Sequence, residues 1–152
     1  MPTRKVLILC TGNSCRSQLA EAIVNAELAE EWQAFSAGTQ PAGFVHLLAL
    51  RALEEIGIQH RGVSKSAEIF HGSAFDVVIT VCDDAAENCP LWLGKGKRVH
   101  IGFPDPAQAP GSDAEKMQVF RQVRDDIRVR IVAFLKGYPE PVNNDEKERT
   151  SP

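Results

Sequence analysis

The sequence has no long apolar run. Its longest N-terminal stretch, Val6 to Cys10, is too short for the core of a secretory signal or for a membrane span. A cytoplasmic protein without membrane attachment is the expectation. Nor is there a broad excess of positive charge, because 17 Lys and Arg stand against 20 Asp and Glu, for a net charge of −3. That argues against a nucleic-acid surface and confines any anion site to a local cluster. Cysteines are few. Four of them in a cytoplasmic chain point to catalysis or metal binding rather than to a disulfide framework. There is no internal repeat. What remains, 152 residues with 43% hydrophobic and 24% charged side chains, suits one globular domain with a sizeable core.

Val6 to Cys10 and Phe75 to Val81 are continuous apolar runs, as in strands buried on both faces. Trp32 to Ala37 alternates like a strand, and Arg98 to Gly102 is a short fourth one. Between them lie helical patterns. Leu19, Ala22, Ile23 and Ala26 mark a helix over Ser17 to Glu30; Leu47, Leu50, Leu53 and Ile56 mark a second, stopped by Gly57. Ser64 to Phe70 reads as a short helix and Asp83 to Asn88 as one or two turns. Ser112 and Glu115 form a capping box for the last helix, whose apolar face is Phe120, Val123, Ile127, Ile131 and Phe134. Gly137 and Pro139 close it. Residues 1–139 are expected to form a single catalytic domain, and the polar tail 140–152 to be disordered. Strands alternating with helices predict an α/β fold, an open parallel four-stranded sheet with helices on both faces. Ligands in such sheets bind beyond the C-terminal strand ends. Cys10, Cys82 and Asp105 each follow a predicted strand, so all three should share one edge.

Between the first strand and the first helix stands Cys10-Thr11-Gly12-Asn13-Ser14-Cys15-Arg16-Ser17. Backbone N–H groups in such a loop, together with the helix N-terminus, make a nest for an oxyanion. Gly12 and Asn13 tolerate the left-handed backbone that lets the loop curl. Arg16 adds a planar fork for two oxygens. Cys10 sits where the same field favours its thiolate. Thr11, Gly12, Asn13, Ser14, Cys15, Arg16 and Ser17 therefore read as the oxyanion-binding residues. Ser17 either donates to the Cys10 sulfur or caps the helix, and one hydroxyl can do both. Cys15 is a second thiol guarding Cys10 or, more simply, a buried residue shaping the loop.

Cys82 and Cys89 are inert small residues, metal ligands or redox partners. Their spacing matches no common zinc pattern and no metal is expected. The four histidines form no constellation. A thiol at the same mouth as Cys10, with a third nearby, suits thiol–disulfide exchange. Asp105, stiffened between Pro104 and Pro106, reads as a turn cap by itself and as a general acid beside an oxyanion loop.

These residues resemble a known family. Cys10 to Ser17 with Asp105-Pro106 is similar to the low-molecular-weight protein tyrosine phosphatases, over roughly Lys5 to Lys136. Cys82 and Cys89, in the frame Val81-Cys82-Asp83 to Cys89-Pro90, resemble the thioredoxin-coupled arsenate reductases built on that fold. The resemblance implies arsenate as substrate and thioredoxin as partner, with no organic or metal cofactor in the reaction; a monomer is expected. It further implies Cys10 as nucleophile, Arg16 as oxyanion clamp, Asp105 as acid, and a disulfide passed from Cys10–Cys82 to Cys82–Cys89. Such reductases often hold a potassium ion near residues matching Asn13, Glu21 and Ser36 together with an aspartate. Here Lys65 stands at the aspartate position, so Glu21, Ser36 and Lys65 are expected to support the loop without the ion. Ala107 and Gln108 replace the aromatic pair that follows Asp-Pro in the phosphatases. Two alternatives stay open: a phosphatase of this fold, and a non-catalytic oxyanion- or arsenite-binding protein.

Overall fold

The computed structural model describes residues 3–83 and 95–139. Strands β1 (Arg4–Cys10), β2 (Trp32–Gly38), β3 (Ala74–Thr80) and β4 (Lys95–His100) form one parallel sheet in the order β2-β1-β3-β4. The β1–β2 register pairs Ile8 with Ser36 and Cys10 with Gly38, and the β1–β3 register pairs Leu9 with Thr80. Helices α1 (Arg16–Glu27), α2 (Leu47–Glu55) and α3 (Asp113–Lys136) join short 3₁₀ turns at Ala67–Phe70 and Pro106–Gln108. No helix among the described residues is long and apolar enough to cross a membrane.

The sheet is covered unequally. Val6, Ile8, Val77 and Ile79 point into the main core with side chains of α1, α2 and α3. Leu7, Leu9 and Val78 point the other way, where Phe75 and Phe35 meet Phe70 of the first 3₁₀ turn. The expected capping box opens α3: Ser112 Oγ accepts from the Glu115 amide, and the Glu115 carboxylate accepts from the Ser112 amide.

Four expectations need correction. In α2 the buried stripe is Leu48, Ala49, Ala52 and Leu53, and Leu47 is exposed, because leucines lie on both sides of this helix and only packing selects one. Residues 64–66 are not helical. Ser64 Oγ donates to the Gly12 carbonyl, the Lys65 amide donates to Asn13 Oδ1, and Ser66 bridges to Gly38, so this segment is committed to the Cys10 loop. β4 begins at Lys95 rather than Arg98, as an edge strand that tolerates lysines. Ser17 does not cap α1; it lies inside the helix, fully buried, and Cys15 is the N-cap residue. Cys89, the tail 140–152 and, except for Asp83, the turns expected over 83–88 lie outside the described residues.

Candidate active site

The loop after β1 is held by its carbonyls. The amides of Gln40, Ala42 and His46 donate to the oxygens of Thr11, Gly12 and Ser14 at 3.0, 2.9 and 3.0 Å, and Gln18 Nε2 donates to the Asn13 oxygen at 3.1 Å. In a trans peptide the C=O and N–H point in opposite directions. With those carbonyls turned outward, the amides of Gly12, Asn13, Ser14 and Cys15 turn inward. Asn13 makes this visible, since its N–H lies 3.3 Å from Cys10 Sγ. Its φ of 49° is the left-handed bend that closes the loop. Gly38, at the end of β2, completes the wall. A Cβ there would collide with the Thr11 carbonyl, so only glycine lets the strand approach this closely.

A cleft of about 200 Å³ opens over the loop, lined in part by Cys10, Cys15, Arg16, His46 and Asp105. The Arg16 side chain is nearly fully buried. Its Nη1 donates to the Phe103 carbonyl at 3.2 Å, and its Nη2 lies 3.8 Å from Asp105 Oδ2. Asp105 serves two purposes with two oxygens: Oδ1 caps the second 3₁₀ turn by accepting from the Ala107 amide at 3.0 Å, and Oδ2 faces Arg16. The turn-cap and cleft readings of this residue are therefore compatible.

Cys10 Sγ lies 2.9 Å from Ser17 Oγ. The direction of that bond follows from its neighbours. The Lys65 amide can only donate, so the Asn13 side-chain atom it meets at 2.9 Å must be oxygen. The other terminal atom, Asn13 Nδ2, then donates to Ser17 Oγ at 2.8 Å. Ser17, with its oxygen engaged, directs its hydrogen at sulfur, and the Asn13 amide points at the same atom. Cys15 differs: burial first, then the charges of Asp105 and Cys10, push its thiol up to about 12. It stays neutral at physiological pH, which suits a loop-shaping residue.

Behind the loop, Lys65 Nζ lies 3.7 Å from Glu21 Oε1, 3.4 Å from Ser36 Oγ and 2.9 Å from the Val63 carbonyl. Ser36 Oγ donates to Glu21 at 3.0 Å. An ammonium thus sits beside Glu21 and Ser36, two of the residues expected to surround a potassium ion.

Cys10, Arg16 and Asp105 come together as expected. Cys82 does not join them in the cleft. It follows β3 at the same sheet edge, but it is fully buried and disulfide-bonded, whereas Cys10 and Cys15 are free thiols.

The sequence offered no sign of three further residues. Phe44 lines the cleft and is 60% exposed. His46 caps α2 by accepting from the Leu48 amide through Nδ1 at 3.1 Å, so its other nitrogen carries the proton. Burial, with Lys116 adding to it and Asp105 opposing, pushes this imidazole below its ordinary value. His60 lies beneath the loop against Gln18 and Glu21. Isolated histidines carry no spacing signal, and only the fold gives these two neighbours.

The comparisons with known proteins agree with this arrangement. Residues 5–148 match the family described as low molecular weight phosphotyrosine protein phosphatase. The arsenate reductase of Halalkalibacterium halodurans is 43% identical over 139 residues, 90% of this chain and 98% of that protein. The crystal structure of arsenate reductase from Archaeoglobus fulgidus superposes with a TM-score of 0.69 at 28% identity, over 86% of this chain and 98% of that one. An arsenate reductase in the phosphate binding state gives the same TM-score and identity, over 90% of this chain and 100% of that one.

Proposed function

The chain belongs to the low molecular weight phosphotyrosine protein phosphatase family, and on that premise we propose that it reduces arsenate to arsenite with its own thiols and is regenerated by thioredoxin. The observation that carries this reading is the distribution of sulfur. A free Cys10 faces an oxyanion cleft with Arg16 and Asp105, while Cys82 at the same sheet edge is disulfide-bonded. That is the distribution a thiol relay leaves before an external dithiol acts.

The steps balance as follows. The inward amides of the Cys10–Ser17 loop and the Arg16 guanidinium hold arsenate as a tetrahedral anion. The Cys10 thiolate attacks arsenic, and an oxygen leaves as water with a proton from Asp105. The Cys82 thiolate then attacks the Cys10 sulfur. The sulfur–arsenic electron pair stays on arsenic, which departs as arsenite, and a Cys10–Cys82 disulfide remains. Cys89 attacks Cys82 and releases the Cys10 thiolate. Thioredoxin reduces the Cys82–Cys89 disulfide and takes up its two-electron oxidation. Because Cys82 is fully buried and is not among the residues lining the cleft, the relay requires Cys82 to move towards Cys10. Lys65 supplies the positive charge behind the loop through Glu21 and Ser36, without potassium. The reaction belongs in the cytoplasm, where thioredoxin keeps thiols reduced.

Phosphomonoester hydrolysis is the second reading. It uses the same Cys10, Arg16 and Asp105, and the exposed ring of Phe44 at the cleft favours it by offering a face to an aryl ester. Cys82→Ser separates the two. Thioredoxin-coupled arsenate reduction, followed by NADPH oxidation, should fall to background in this variant while hydrolysis of an aryl phosphate persists. Sustained arsenate turnover without Cys82 would reject the relay.

A further inference from the structure

Beneath the loop, a line of hydrogen bonds runs away from Cys10 to residues that no motif contains. Gln18 Nε2 lies 3.1 Å from Asn13 Oδ1, 3.1 Å from the Asn13 carbonyl and 3.0 Å from the Val63 carbonyl. Three acceptor oxygens around one atom identify it as the amide nitrogen. The remaining atom, Gln18 Oε1, faces His60 Nε2 at 2.7 Å. His60 Nε2 also lies 3.8 Å from Glu21 Oε2. With acceptors on both sides, Nε2 carries the proton.

Every bond then points the same way. His60 donates to Gln18, Gln18 to Asn13, Asn13 to Ser17, and Ser17 to the Cys10 sulfur. Aligned donors polarise one another, and the last one ends on the atom whose negative charge matters. The Lys65 amide fixes the Asn13 amide at the middle of the line. The charged groups facing His60 are Glu21 and, through it, Lys65. Burial lowers the imidazole, Glu21 opposes and Lys65 adds to the drop, which suits a neutral donor.

Gly62 leaves room for this arrangement. A Cβ at position 62 would strike Gln18 Oε1 and His60 Nε2, the two atoms of the first bond. Both are ends of side chains, so a methyl group there would part the bond rather than displace the backbone.

We propose that His60 and Gln18 are positioning residues for the nucleophile, holding the Ser17 hydrogen on the Cys10 sulfur through Asn13. The proposal rests on Cys10 being the attacking group. It concerns the readiness of the sulfur, not the binding of the anion, because neither side chain is among those lining the cleft.

The test uses the full chain as wild type, His60→Phe, Gly62→Ala and His60→Gln. Iodoacetamide alkylation of Cys10 is followed by peptide mass from pH 5 to 9, alongside kcat and KM for arsenate. His60→Phe keeps a ring and loses the donor; Gly62→Ala parts the bond with both partners present; His60→Gln restores an N–H. Alkylation at neutral pH should slow about three- to tenfold in the first two variants, with the profile displaced to higher pH, as expected for losing part of one hydrogen bond to a thiolate. kcat should fall by a similar factor with KM nearly unchanged, and His60→Gln should recover most of the loss. An alkylation profile superimposable on wild type in either of the first two variants overturns the proposal, whatever happens to Tm. Alkylation needs no arsenate. Absence of arsenate turnover in the wild type would reject the reductase reading and leave the alkylation profiles to decide this one.

Discussion

On its outer side the Cys10–Ser17 loop meets an open cleft shared by Arg16 and Asp105; on its inner side it meets a packed polar layer made of Gln18, Glu21, Ser36, His60 and Lys65. The outer side presents backbone amides and a guanidinium, groups that a tetrahedral anion can reach. The inner side spends nearly all its donors and acceptors on one another and on the loop. Changes outside should therefore alter what binds. Changes inside should alter how the loop is held and how ready its sulfur is.

The largest effect should come from the outer side. Arg16→Lys keeps a charge but loses the planar fork that bonds Phe103 and faces Asp105. We expect kcat/KM for arsenate to fall roughly 100- to 1,000-fold, the scale of removing one preorganised charge-stabilising donor. Steady-state kinetics in the thioredoxin-coupled assay would measure it. A loss confined to stability, with activity retained, would break the distinction between the two sides.

Lys65→Ala probes the inner side. It removes the cation beside a half-buried Glu21 and should cost about 1–3 kcal/mol in denaturant unfolding, since the carboxylate is left with only the Ser36 hydroxyl and His60 in a partly solvated site. Wild-type activity should be the same in potassium and sodium salts, whereas the variant, with the ammonium gone, should respond to potassium. A large potassium-specific gain in the wild type would show that Lys65 does not take the ion's place.

The smallest effect should come from a charge cluster on neither side. Glu55 joins α2 to α3 through Arg121 at 2.7 Å and Arg124 at 2.8 Å. The hydrogen bonds of Arg121, with Arg124 adding to them, hold its carboxyl down to about 2 from the ordinary 4.5. A carboxyl lowered in the folded state stabilises it above the unfolded value and loses that contribution as pH falls. Glu55→Gln should thus lower Tm slightly at neutral pH, with the difference shrinking between pH 4.5 and 2 and gone below. The exposure of the pair keeps it small. A difference that persists below pH 2 would mean that the side chain acts by packing rather than by charge.

The unequal legibility of the two sides has a physical cause. Cys10, Arg16 and Ser17 lie within one eight-residue loop, and Asp105 is flagged by two prolines, so composition and spacing reveal them. Lys65 and Glu21 were read through a family pattern, and the structure brings them to 3.7 Å. His60 and Gln18 had no such frame. Their partnership spans 42 positions and depends on the empty space at Gly62, which no local pattern encodes. Similarly, residues 64–66 looked helical until their donors were needed by Gly12 and Asn13, and of the two roles open to Ser17 the loop selects the one that turns its hydroxyl towards sulfur.

The sequence by itself determined the strand–loop–helix unit, the parallel sheet and the candidate nucleophile, Cys10, with its candidate clamp, Arg16. Those follow from hydrophobic period and from the chemistry of neighbouring residues. Tertiary structure alone decided which stripe of α2 is buried, that Cys82 is not among the residues lining the cleft, and which way the hydrogens under the loop point. Each of these depends on a contact between distant segments. The direction of a donor chain is set only when an unambiguous group, here the backbone amide of Lys65, arrives from far along the chain to fix it.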